Sequence, residues 1–158
     1  MSKREKRTVI VDSHEGKTAP LIVKLLKKRF TISFQALKSG DYVLSKQGKM
    51  KGSIGIERKR IEDYIASIKD GRLFQQVKRL CNSYEYPVLL IEGSLYPLTR
   101  DPIALGTYIT LQYSFKALRI AHTIDERGTA AFISRSATYL GPTGRVPPPI
   151  QETSSTPE

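Results

Sequence analysis

The chain has 158 residues, 39% of them hydrophobic, and a mean hydropathy of −0.32. That length and balance fit one soluble domain with a substantial core, and no run of about 18 apolar residues exists to span a membrane. The formal net charge is +11. The first seven residues carry +3 and the stretch from Gly141 carries −1, so the body keeps +9. Basicity that belongs to the fold points to a polyanionic partner such as nucleic acid. No basic amphipathic helix supports a membrane surface instead. The single cysteine, Cys81, rules out an intrachain disulfide and a cysteine-based zinc site, and its place on an apolar stripe reads as core. The N-terminus is too polar for a signal peptide, so an intracellular location is expected, in cytoplasm, nucleoid or nucleus.

Residues 1–7 read as a polar, mobile lead. Arg7 to Asp12 is a short apolar run ending in an acid, which suits a buried strand with Asp12 at its carboxyl end. Ser13 to Gly16 reads as a loop. Thr18 is placed to cap the next helix, with Pro20 in its first turn. Ile22, Leu25, Leu26 and Phe30 recur at helical spacing, with Lys24, Lys27 and Lys28 outward. Thr31 to Leu37 is β-like, and Ser39-Gly40 turns the chain into a strand from Asp41 to Ser45. A Gly/Lys-rich turn from Lys46 to Gly52 folds back onto a strand carrying Glu57, Arg58 and Lys59. Its lysines, Lys49 and Lys51 among them, are candidate phosphate contacts; a merely soluble hairpin is the plainer alternative.

Ile61, Tyr64, Ile65 and Ile68 fall at i, i+3, i+4 and i+7, one apolar helix face. Asp63 lies in that helix's first turn, where the dipole favours an acid and where a direct catalytic role is the alternative. Asp70-Gly71 breaks the helix, and another runs from Arg72 to Tyr84. Arg72, Lys78 and Arg79 are candidate DNA contacts against the alternative of ordinary surface charge. Pro87 to Glu92 suits a central strand buried on both faces. Gly93 to Asp101 reads as a loop. A helix over Pro102–Lys116 is apolar on more than one face, from complete burial or from a surface kept for another subunit. A strand at Leu118–Thr123 and a helix at Glu126–Leu140 follow, with His122 an ordinary strand-end residue. From Gly141, five prolines with Ser and Thr predict a flexible tail. The element order implies an α/β/α layered sheet, whose ligands gather near the carboxyl ends of strands.

Residues two apart on a strand share a face, so Glu57 and Lys59 should project together, with Asp41 opposite them and Asp12 brought near. A hard divalent cation, Mg2+ or Mn2+, needs only one or two carboxylates plus waters and phosphate oxygens. Two acids and a lysine at one spot meet the needs of metal-assisted phosphodiester hydrolysis, with Lys59 stabilising charge on phosphate oxygens. Crowded acids should also have unusual proton affinity. Taken alone, a Glu-Arg-Lys run is often only a solvated face.

The combination is more specific. Gly40-Asp41, a hairpin-length gap, Glu57-Arg58-Lys59, then Asp63 and an apolar helix resembles the XPF-type structure-specific nuclease family, whose signature is G-D-x(n)-E-R-K-x-x-x-D. The likeness continues through Ser67–Leu80 and Val88–Gly93, and covers residues 8–140. It implies a three-layer restriction-endonuclease-like fold with a central mixed sheet. It implies a Mg2+- or Mn2+-dependent endonuclease acting on branched DNA, three-prime flaps and forks, in repair and recombination. Asp41, Glu57 and Asp12 would hold metal, and Lys59, Arg58 and Asp63 would complete the site. Strand alternation turns Arg58 to the other face, where it could pair with an acid beneath the site. The resemblance also implies a homodimer, or a heterodimer with a related subunit. It implies a tandem helix-hairpin-helix domain to which the Pro-rich stretch, residues 141–158, would lead. A sliding clamp is a further candidate partner. One departure stands out: the family's V-D-x-R-E reads Val11-Asp12-Ser13-His14-Glu15 here. His14 cannot replace a permanent guanidinium, though it could donate to phosphate when protonated, or simply pack. Two other readings stay open. One is a junction-resolving nuclease of another lineage; the other is a catalytically idle DNA-binding or dimerisation subunit.

Overall fold

The computed structural model describes residues 7–46 and 49–139, with side chains at 46, 49–52 and 139 left aside. Residues 1–6 of the predicted lead, Lys49 and Lys51 as side chains, and the Pro-rich tail therefore lie outside the described residues, whereas Arg7, the last residue of that lead, is held by its guanidinium donating to Ala137 O at 2.6 Å and Thr138 O at 2.8 Å. Six strands form one sheet: β1 (Thr8–Asp12), β2 (Thr31–Gln35), β3 (Tyr42–Lys46), β4 (Lys49–Arg60), β5 (Tyr86–Glu92) and β6 (Arg119–Thr123). Their order is β2-β1-β3-β4-β5-β6. β1 and β2 are parallel, as are β4, β5 and β6, while β3 runs antiparallel to both of its neighbours. The single reversed strand has a consequence for the site. Its first residues lie beside the carboxyl ends of β1 and β4.

Strand alternation sorts the apolar residues into two cores. On one side Val9, Val11, Tyr42, Ile54, Ile56 and Leu90 pack against α2 (Pro20–Leu26) and α7 (Glu126–Tyr139). On the other, Val43, Leu89 and Ile91 pack beneath α3 (Ile61–Lys69), α4 (Leu73–Ser83), α5 (Tyr96–Arg100) and α6 (Pro102–Ser114). β5 is buried on both faces from Pro87 to Glu92, as its continuous apolar run predicts. In α3 the apolar face is Ile61 and Tyr64, with Ile65 and Ile68 at its margin. Tyr64 can be buried because its hydroxyl donates to Ala104 O at 3.1 Å, which also ties α3 to α6.

Four local readings need correction. Ser13–Thr18 is a helix, α1, and not a loop. Asp12 caps it by accepting from His14 N, and a six-residue helix burying only Glu15 has no apolar periodicity to betray it. Thr18 consequently caps nothing; its hydroxyl bonds back to Glu15, and α2 starts from Ala19 without a side-chain cap. The stretch from Gly93 to Asp101 contains α5, with Pro97 in its opening turn where a missing N–H costs nothing. Cys81 is half-buried at the edge of the second core, because α4 buries Leu73, Val77 and Leu80 on a stripe that passes beside it. Among the described residues no helix is long and apolar enough to cross a membrane.

Candidate active site

β4 carries Glu57, Arg58 and Lys59 in succession, so alternation sends the first and third to one face and the second to the other. Glu57 and Lys59 fall on the α3/α4 side. Lys59 is buried, and its charge acts on Glu57. Asp41 meets them because β3 is reversed. Its backbone is stitched between both neighbours, Asp41 N donating to Ile56 O at 2.7 Å and Asp12 N donating to Asp41 O at 2.8 Å. One carboxylate oxygen then accepts from Arg58 N at 2.7 Å, which aims the side chain across β4.

The turn before Asp41 is equally constrained. Gly40 has φ +86°, a region that side-chain-bearing residues rarely adopt. From there its backbone N–H favours the ionised form of the Glu57 carboxylate. Tyr84 closes the notch beneath. Its hydroxyl donates to Ser39 O at 2.6 Å. Its ring occupies the place where a side chain on Gly55 would stand, 2.1 Å from an ideal Cβ.

Electrostatics mark this face as unfinished. Burial raises Asp41 well above the ordinary carboxylate range, and the charges of Glu57, Glu15 and Asp12 push it further, against the Arg58 N–H. Glu57 is also raised by burial, with Lys59 and the Gly40 N–H opposing and Glu15 and Asp12 reinforcing. Asp12 shares the neighbourhood but has other work: its two oxygens accept from Leu37 N at 2.9 Å and His14 N at 3.2 Å.

The opposite face is compensated. Arg58 makes a bidentate pair with Glu92, at 2.9 Å from Nε and 2.7 Å from Nη2, and reaches Glu15 at 3.1 Å. Glu126 stands at 3.7 Å from the same guanidinium. Thr129 donates a further 2.6 Å bond to Glu92. Burial alone would raise Glu92, yet the bonds from Arg58 and Thr129 bring it below its ordinary range. For Glu15 burial wins, and its carboxyl is raised despite Arg58. Its Oε2 and the Tyr42 hydroxyl are buried without a hydrogen bond of good geometry, although each feels the other's field.

The remaining candidates scatter. Asp63 is exposed in the first turn of α3, where its charge bears on Arg72. Arg72 is itself exposed and paired with Asp70 at 2.6 Å. His14 is exposed on α1, so the packing alternative for it falls. Lys78 lines a groove on α4. Glu15, Glu92 and Tyr84 were assigned no site role from the sequence. An acid closing the apolar run of β5 was the available signal for Glu92, and an aromatic at a helix end gave none for Tyr84.

A mixed sheet between two helical layers, with acids and a lysine gathered at its carboxyl ends, is the α/β restriction-endonuclease-like nuclease fold. Residues 11–135 match the ERCC4 domain, and the chain belongs to that family. A 3'-flap repair endonuclease, Xpf, of Saccharolobus solfataricus is 36% identical over 123 residues, 73% of this chain and 49% of that protein. A Methanocaldococcus jannaschii protein bearing the name of an ATP-dependent RNA helicase is 33% identical over 129 residues, 82% of this chain and 15% of its own length. Among solved structures, XPF from Aeropyrum pernix superposes with TM-score 0.75 at 28% identity, covering 96% of this chain and 69% of the other. Its complex with DNA gives 0.72 at 29%, covering 84% and 64%. This chain thus spans half or less of these two curated relatives.

Proposed function

We propose that this chain is the nuclease unit of a divalent-metal-dependent endonuclease that hydrolyses phosphodiesters in branched DNA, with three-prime flaps and forks as substrates. The observation that carries the reading is the convergence of Asp41, Glu57 and buried Lys59 on one face of the sheet. Family membership and the basic body support it.

The donor set fits Mg2+ or Mn2+. Among the described residues no group of three or more His, Cys, Asp or Glu is arranged to hold a metal alone. Mg2+ commonly takes one or two carboxylates and completes its shell with water and substrate phosphate. Two buried acids whose proton affinity is raised by burial, with Glu57 raising that of Asp41 further, are what a cation would relieve. Asp41 and Glu57 would hold it, with Asp12 acting through water because its oxygens are engaged by backbone. A cation there would neutralise phosphate charge and favour ionisation of water. In hydrolysis a water oxygen adds to phosphorus, one ester P–O bond breaks, and the departing oxygen takes up a proton. Lys59 faces the charge that builds on the phosphate oxygens. Arg58 positions: it clamps β4 from the far side and its N–H aims Asp41.

A second copy of the chain, or a related subunit, would cover the outer face of α6. Ile103 is 71% exposed there and Tyr113 82%, beside Ile109 and Leu105. Such a patch on one helix is characteristic of an interface. The test is cleavage of flap, fork and blunt duplex DNA with Mg2+, Mn2+ or EDTA, together with solution mass. Metal-dependent cutting confined to the branched substrates is expected. No cutting at any protein concentration, or equal cutting in EDTA, overturns the reading.

A further inference from the structure

The outer stripe of α4 has an unusual make-up. Leu73, Val77 and Leu80 face inward. Phe74, Gln75, Lys78, Arg79 and Asn82 follow one another at helical spacing on the outside and, with Phe115 at the end of α6, line a groove of about 400 Å³. A solvated helix face would carry charge throughout. Here Phe74 leaves 41% of its surface in water, and its ring lies 6.4 Å from that of Phe115 at 41°. The tilt makes the rings adjoining platforms and not a closed stack.

The groove's charge is one-sided. No acid lines it, and among the described residues neither Lys78 nor Arg79 has an ion-pair partner. Exposed aromatic surface between free cations and side-chain amides complements unpaired nucleotides: bases stack on the rings, phosphates meet the ammonium and guanidinium groups, and base edges meet Gln75 and Asn82. A duplex buries its base faces and could use only the charges. The groove also starts near the reactive centre. The turn before α4 is close enough for Lys59 to act on Asp70, and Phe74 is four residues further on.

We infer that this α4/α6 groove is a binding site for single-stranded DNA, holding the unpaired arm of a branched substrate by stacking on Phe74 and Phe115. The inference rests on the DNA reading above and names the part of the substrate that it grips.

Binding is measured by fluorescence anisotropy in EDTA, so that no cutting intervenes, for an oligothymidine strand, a blunt duplex and a fork. Phe74→Ala should weaken strand and fork binding by roughly 5- to 100-fold, leave the duplex unchanged, and be restored by Phe74→Trp. Lys78→Ala should lower the salt dependence of strand binding by about 0.7 in log–log slope, as one lost phosphate contact requires. Phe74 is partly exposed, and a thermal melt checks that each variant folds. Strand binding unaltered in Phe74→Ala, or weakened equally with duplex binding, overturns the inference. So does a change in solution mass, which would put a second copy of the chain in the groove. A wild type that grips strands in this pattern yet cuts no branched DNA keeps the groove and removes the nuclease reading.

Discussion

The two faces of β4 treat charge in opposite ways, although they are supplied by three consecutive residues. Behind the strand, Arg58 is enclosed by Glu92 and Glu15, Glu92 is held ionised, and Glu15 is raised by burial even with Arg58 as its partner. In front, Asp41 and Glu57 face each other, opposed by the Arg58 N–H at the first and by Lys59 and the Gly40 N–H at the second, and both resist ionisation. A buried pair that is complete is structural, and breaking it is costly. A buried group of like charges is unfavourable in isolation and becomes favourable when a ligand supplies the missing positive charge. The difference separates what holds the strand from what the strand presents.

Changing the front face should have the largest effect. Asp41→Asn or Glu57→Gln should take metal-dependent cutting below detection while leaving DNA binding in EDTA within about twofold of wild type, as gel shift and cleavage assays would show; residual cutting would place the chemistry elsewhere. Lys59→Met comes next, with a loss of about 10²–10³ in kcat and little change in binding, the size seen when one donor to a developing anion is removed.

Breaking the rear face should act on stability instead. Arg58→Ala strands two buried carboxylates, and unfolding by denaturant should report a loss of about 3–5 kcal/mol. If Arg58→Ala melts like wild type but fails to cut, the division between the faces is wrong.

The sharpest contrast is in pH. Asp41 binds its proton more tightly folded than unfolded, so stability falls as pH rises from its unfolded pKa through its raised folded one. Glu92, held below its ordinary range, has the opposite sign: its stabilisation is present above the unfolded pKa and lost as pH falls through the folded value. In EDTA, Asp41→Asn should therefore melt higher than wild type, by a margin that grows with pH and disappears in acid. Added Mn2+ should raise the wild-type melting temperature more at higher pH, and Asp41→Asn much less. The smallest effect belongs to Tyr84→Phe. It removes the bond to Ser39 O while keeping the ring under Gly55, and should cost about 1 kcal/mol.

Much of this molecule is readable in the letters. The apolar run of β5, the periodic face of α3 and the acid–arginine–lysine succession each carry their geometry locally, because pleat and helix period are properties of the backbone. α1 and α5 are not legible: pieces of five or six residues are too short to show a period.

What the sequence determined by itself is which residues of β4 share a face, since alternation holds in any strand. Only the tertiary structure decided which acids stand opposite them. Asp41 reaches Glu57 because β3 runs against its neighbours, and Glu92 and Glu15 reach Arg58 because β5 and α1 lie on either side of the β3–β4 pair. Strand order and direction follow from how both cores close over the sheet, which no local stretch of the chain encodes.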